Sequence, residues 1–256
     1  MAQDTLYILA APGLAPRFSR PNIYPAWLSY RVTPALTLLR IQGPEAFRGG
    51  IMVITGYPED PRGDPAPLCR VILAECARRN FQGLLLDFDR PSPVYEQLTR
   101  QLAHGLTRRG VRLFLPEHLA PHAPGCRVLI PSALSGGSLE LRLREAAAQY
   151  GADRVVLAVE RTAEDFTLPA PDGCGQPLGP DEPEALMRTH HTRSHFSTPL
   201  CARYFTYQNG NSLHLVLYDN KETLLKKIAC ARSCGISRFL LPWDDISPFY
   251  QDFLPQ

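Results

Sequence analysis

Apolar and polar positions along the chain fall into short blocks whose spacing switches between two and about four. Runs at 5–11 (TLYILAA), 51–56 (IMVITG), 111–115, 127–133, 154–159 and 237–243 read as strands. A weaker second strand falls at 26–32, or alternatively at 35–41. Between these runs the spacing becomes helical. Leu68, Ile72 and Cys76 mark one helix, Val94, Leu98, Leu102 and Leu106 a second, and 222–233 the last. Ser138 and Gly151 bracket another, as an N-cap and a stop.

The stretch 81–91, Phe-Gln-Gly-Leu-Leu-Leu-Asp-Phe-Asp-Arg-Pro, is the fourth strand and the focus of the chain. Alternation puts Gly83, Leu85, Asp87 and Asp89 on one side and Leu84, Leu86 and Phe88 on the other. Two acids at the end of an apolar strand are costly unless water, a partner or a substrate meets them. One could cap the next helix and the other pair with Arg90. The alternative is a site at the carboxyl end of a barrel strand.

Residues 163–200 break the strand–helix rhythm. A short helix at 181–188 is followed by a two-stranded arm, 202–207 and 213–218, turning at Asn209-Gly210. Eight strand candidates with helices between them predict an α/β fold. It is a (β/α)8, TIM-like barrel, irregular in its first strands, with a hairpin-bearing insertion between strands seven and eight. Residues 1–256 are read as one barrel domain, with 163–220 as an arm within it.

Composition narrows the function. The formal net charge of +2 gives no case for nucleic acid. Lysine occurs only at 221, 226 and 227, and genome composition explains the arginine bias better than phosphate recognition does. The 25 prolines in 256 residues are about twice the usual share and fall mostly between apolar runs, as stiff loops do. The seven cysteines are odd in number and irregular in spacing, so reduced thiols and a cytoplasmic setting are expected. No basic, apolar leader opens the sequence and no run approaches a membrane span. Neither GxGxxG nor GxxxxGK[ST] occurs, so no nucleotide cofactor is expected.

Two stretches together resemble glycoside hydrolase family 18, the chitinase-like barrels. That family's fourth strand carries DGxDxDxE, ending in the catalytic acid. Here Gly83 and the assisting acid, Asp87, match, whereas Gln82 and Leu85 replace the earlier acids. Asp89 stands where the catalytic Glu belongs. The second stretch is the C-terminal third. Tyr204 to Tyr207, Tyr218-Asp219-Asn220, the helix to Gly235 and Phe239 to Asp244 resemble the family's last arm, helix and eighth strand. Trp243 falls where the family has a tryptophan flooring the sugar site. The family's Tyr-Asp pair after strand six is replaced by Pro131-Ser132-Ala133.

The resemblance implies an N-acetylated glycan as ligand and substrate-assisted hydrolysis, in which one acid protonates the leaving oxygen and a neighbour orients the acetamido group. The departures imply weak or lost hydrolysis. Glu117 and Glu160, at the exits of strands five and seven, are candidate acids in place of Asp89. The structural alternative for each is an ion pair with a nearby arginine, Arg161 for Glu160. Trp243 and Tyr57 are candidate glycan contacts. His190, His191 and His195 cluster, but Thr192-Arg193-Ser194 has little helical character, so a polar loop is favoured over a metal site. Two further readings remain: an active glycosidase on an altered glycan, and a non-enzymatic interaction scaffold.

Overall fold

The computed structural model describes residues 3–12, 20–41, 47–57, 61–171 and 173–254. The proline-rich connection 16–25 and the loop 57–67 lie partly outside these. Eight parallel strands form the barrel: β1 Thr5–Ala10, β2 Ile23–Val32, β3 Ile51–Thr55, β4 Gly83–Asp87, β5 Arg112–Pro116, β6 Arg127–Pro131, β7 Val155–Ala158 and β8 Arg238–Pro242. They pair in sequence order, and β1 pairs with both β2 and β8, which closes the ring. The expected irregularity falls in β2, which is ten residues long and shifts register between Leu28 and Tyr30. A short antiparallel strand, Leu38–Arg40, extends it.

Strand alternation sorts the core into two parts. Tyr7, Ala26, Val53, Leu85, Phe114, Leu129, Val156 and Leu240 belong to a small cluster inside the barrel. Their chain neighbours, such as Leu84, Leu86, Val128 and Leu241, join the larger cluster between barrel and helices. Helix α1, Ala66–Arg78, buries Leu68, Cys69, Ile72 and Cys76 there. Helix α2, Pro93–Thr107, starts on a proline and buries Leu98, Leu102 and Leu106, the predicted stripe. Helix α3, Leu139–Tyr150, is capped by the Ser138 side chain, which accepts from the Leu141 amide. Between β5 and β6 the chain forms a 3-10 helix, Glu117–His122, where a proline-rich loop is predicted. Pro121 within it and the six-residue length fit the tighter helix.

The insertion after β7 is a five-stranded antiparallel sheet. Ala163–Leu168 pairs with Ser212–Tyr218, which pairs with Ala202–Asn209; Gln176–Pro177 and His195–Ser197 are the edges. The hairpin forms as predicted, but its turn moves by one residue. Asn209 pairs with Ser212, so Gly210 and Asn211 make the loop, and Gly210 takes the positive φ of 58°. Helix α4, Glu182–Thr189, covers one face through Leu186 and Met187. Helix α5, Lys221–Ser233, then returns the chain to the barrel, started by a reciprocal cap between Asn220 and Thr223.

Candidate functional site

At the carboxyl end of the barrel lies a cleft of about 540 Å3. Its walls carry Asp87 and Asp89 from β4, Glu117 and His118 from the exit of β5, Glu160 from the exit of β7, and Arg142 from α3. Leu85, Leu129, Ala158 and Leu240 from the barrel interior form its apolar base. All four carboxylates singled out in the sequence therefore meet in one cavity.

Strand β4 ends at Asp87, whose parity with Gly83 and Leu85 points it into the barrel mouth. Phe88 turns outward and stacks on Tyr95 with ring centroids 3.9 Å apart, which anchors the strand exit. Asp89 follows on an exposed bend, and neither aspartate forms an ion pair with Arg90 or any other described residue. The Asp87 carboxylate reaches solvent but is surrounded by protein on most sides. That desolvation pushes its pKa up, and the charge of Asp89 adds to the effect.

Glu160 is in the same position across the mouth. Desolvation raises its pKa, the charges of Asp87, Asp245 and Asp89 push the same way, and Lys227 opposes them. The expected ion pair with Arg161 is not formed: that guanidinium donates to the Pro180 carbonyl at 2.8 Å. The main chain of Glu160 is held firmly. Its amide donates to Ser132 Oγ at 3.0 Å, and its carbonyl accepts from that hydroxyl at 3.3 Å and from Lys227 Nζ at 3.5 Å. Lys227 in turn pairs with Asp219, both side chains being 0% exposed. Asp219 also accepts from the Thr162 amide at 2.8 Å and from the Thr223 hydroxyl at 2.7 Å. Sequence reasoning missed Lys227 and Ser132. A lysine four residues after Thr223 on the inner face of a helix is the one signal that could have found the pair.

Glu117 forms the ion pair that its structural alternative predicted, with Arg142 of α3. His118 is a further residue the sequence left unassigned. Its Nε2 is buried without a hydrogen-bond partner, and desolvation lowers its pKa, so the ring is neutral at pH 7. Trp243 and Tyr57 are not among the residues lining this cavity. Trp243 starts a short helix after β8, half-buried, with its ring edge on Tyr250 at 5.3 Å. Tyr57 follows β3 and lies under the Arg31 guanidinium, 5.3 Å away.

Residues 165–168 lie in the insertion sheet, Pro169 follows it, and the segment is not among the residues lining the cleft. His190 stacks near Tyr207 and His195 near Tyr204, while His191 takes a φ of 49° beyond the end of α4, so the three imidazoles do not share a helical face. Among the described residues no group of three His, Cys, Asp or Glu side chains converges to hold a metal ion. None of the seven cysteines, all of them among the described residues, forms a disulfide. No described helix is long and apolar enough to cross a membrane.

No family model and no curated protein matches the chain. Solved structures do. A chitinase from Chromobacterium violaceum superposes with a TM-score of 0.65 at 14% identity, over 93% of this chain and 93% of that one. The spore cortex-lytic enzyme SleL of Bacillus cereus gives 0.63 at 14% identity, over 93% of this chain and 70% of that one. A class V chitinase from Pseudomonas fluorescens gives 0.61 at 12% identity, over 85% and 86%. At such identities the likeness lies in the fold, and the chain has the barrel of these chitinase-like structures.

Proposed function

We propose, from a fold shared with chitinase-like barrels, that this protein binds an N-acetylated glycan in the acid-lined cleft and hydrolyses it weakly or not at all. One observation carries this: Asp87, Asp89 and Glu160 ring a cavity of about 540 Å3 at the barrel end where such folds hold their chemistry. The neighbours named as chitinases point to N-acetylglucosamine polymers as the ligand class. Asp87 takes the orienting role toward the acetamido group and Asp89 the proton-donor position. Asp89 has one methylene fewer than the glutamate of the family motif. A donor misplaced by about 1 Å loses on the order of 100-fold in rate. Free thiols agree with a cytoplasmic setting for this activity.

An active glycosidase is the second reading, favoured by the raised pKa of Glu160. A general acid must hold a proton at its working pH, and two interacting carboxyls such as Glu160 and Asp87 divide into one acid and one base. Glu117 ranks below Glu160 as a donor because Arg142 occupies its carboxylate.

The deciding experiment is hydrolysis of a short N-acetylglucosamine oligomer with a fluorescent leaving group. The parent is run beside Asp89→Glu, Asp89→Asn and Glu160→Gln, with oligomer binding measured in each. Binding without turnover in the parent, and turnover gained in Asp89→Glu, is expected. Parent turnover that falls as pH rises through the raised pKa of Glu160, and is lost in Glu160→Gln, would replace the first reading by the second. Trp243→Ala weakens binding if the indole contributes to the glycan platform, and Tyr57→Ala tests the tyrosine in the same way. Neither binding nor turnover in any variant would leave the interaction scaffold.

A further inference from the structure

The opposite end of the barrel carries a cluster of another kind. Phe114, Leu129 and Leu240 face the barrel interior, so the residues two positions earlier in β5, β6 and β8 share that parity. Those residues are Arg112, Arg127 and Arg238, and Arg154 stands in the turn just before β7. Three strands, β5, β6 and β8, thus begin with an inward-register arginine at the amino-terminal mouth. Across from them stand Tyr7 and Tyr24, and the Arg112 guanidinium lies 5.8 Å from the Tyr24 ring centroid. None of the four arginines has an ion-pair partner among the described residues. An arginine-rich composition explains arginines scattered over a surface. It does not explain three of them converging on one mouth.

A cavity of about 420 Å3 opens beside this cluster. Arg112, Arg127 and Arg154 line it, together with the Ala123–Cys126 turn and the end of α2. Asp153 is the one acid in the lining, against three guanidinium groups. Arg127 donates to the main-chain carbonyl of Asp153 and Arg154 Nε to that of Tyr150, which hold these side chains in place and leave their other N–H groups free for a ligand. Arg127 is also pushed below the ordinary arginine pKa, first by burial and then by the charge of Arg238, with Arg112 adding to the effect and Tyr7 and Asp153 opposing it.

We propose that this cavity is a second binding site, for a phosphoryl group. Each guanidinium presents five N–H donors in a planar fork suited to oxyanions. Three such forks exceed what the two oxygens of a carboxylate accept, whereas a phosphoryl group offers three oxygens and up to two negative charges. A bound anion relieves the repulsion among these like charges.

The test uses the whole chain and inorganic pyrophosphate, at an ionic strength held constant with potassium chloride. Pyrophosphate raises the parent's melting temperature saturably, as ligand linkage requires, and titration calorimetry reports the binding. Arg127→Met abolishes the shift yet melts no lower than the parent without pyrophosphate, because it removes a like charge. Arg112→Gln, at an exposed position, weakens pyrophosphate binding at least about tenfold and decides the matter if Arg127→Met misfolds. Arg188→Gln, on the distant helix α4, leaves the binding unchanged. Co-sedimentation with phosphatidylglycerol vesicles, lost in Arg127→Met and without a pyrophosphate shift, would assign the phosphoryl group to a lipid headgroup. A shift that potassium chloride reproduces, or one retained in both arginine variants, or no binding to either probe, overturns the proposal.

Discussion

At Gly83 the barrel interior leaves no room for a methyl group. A Cβ there would stand 2.5 Å from Ile51 Cδ1 and 2.9 Å from Phe114 Cε2. Gly83→Ala is expected to cost about 1–3 kcal/mol by overpacking, read as a lower urea midpoint with an unchanged slope. A parent-like midpoint would mean that the interior yields more easily than its packing implies. Glu160 carries the opposite sign of effect. Its folded pKa is raised, so its contribution to stability is full below the unfolded value near 4.3 and is lost as pH rises through the folded value. Glu160→Gln should therefore melt higher than the parent at pH 7, and the gap should close near pH 3. A gap that persists at pH 3 would point to packing instead of charge.

Among the elements, the return from the insertion to the barrel depends on one buried ion pair. Asp219 ends the insertion's strand Ser212–Tyr218, Lys227 comes from α5, and their partners Thr162 and Glu160 lie at the exit of β7. Breaking such a pair from one side leaves an uncompensated buried charge. Lys227→Met should cost about 3–5 kcal/mol, and adding Asp219→Asn should recover part of the loss. Chemical denaturation of the single and double variants measures both. If the double variant is as unstable as the sum of the singles, the two side chains act independently. The acid cleft depends on this pair as well, because Lys227 also holds the carbonyl of Glu160.

Across the whole molecule, closure separates two kinds of sheet. Every barrel strand has neighbours on both sides, whereas the insertion sheet ends in two short edges, Gln176–Pro177 and His195–Ser197. Hydrogen exchange should protect the amides of Leu84 to Leu86 longest and release those of His195–Ser197 early. Comparable protection at both would show that insertion and barrel open as one unit. The sequence alone determined seven of the eight barrel strands, leaving β2 open between 26–32 and 35–41, together with the Leu98, Leu102 and Leu106 stripe of α2 and the cap of α3, because those depend on local periodicity and on residues a few positions apart. It likewise determined that Asp87 shares a face with Gly83 and Leu85, since strand parity is a local property. The turn of the hairpin slipped by one residue because its register is set by pairing across the whole sheet. Tertiary structure alone decided which acids meet, that Arg142 takes Glu117 while Arg161 turns away from Glu160, and that Lys227 and Asp219 find each other inside the molecule. It also gathered Arg112, Arg127 and Arg238 from separate strands at one mouth. Contacts between distant segments, and the crowding of protein around the Asp87 and Glu160 carboxylates that raises their pKa, arise only when the barrel closes, and no local pattern in the chain encodes them.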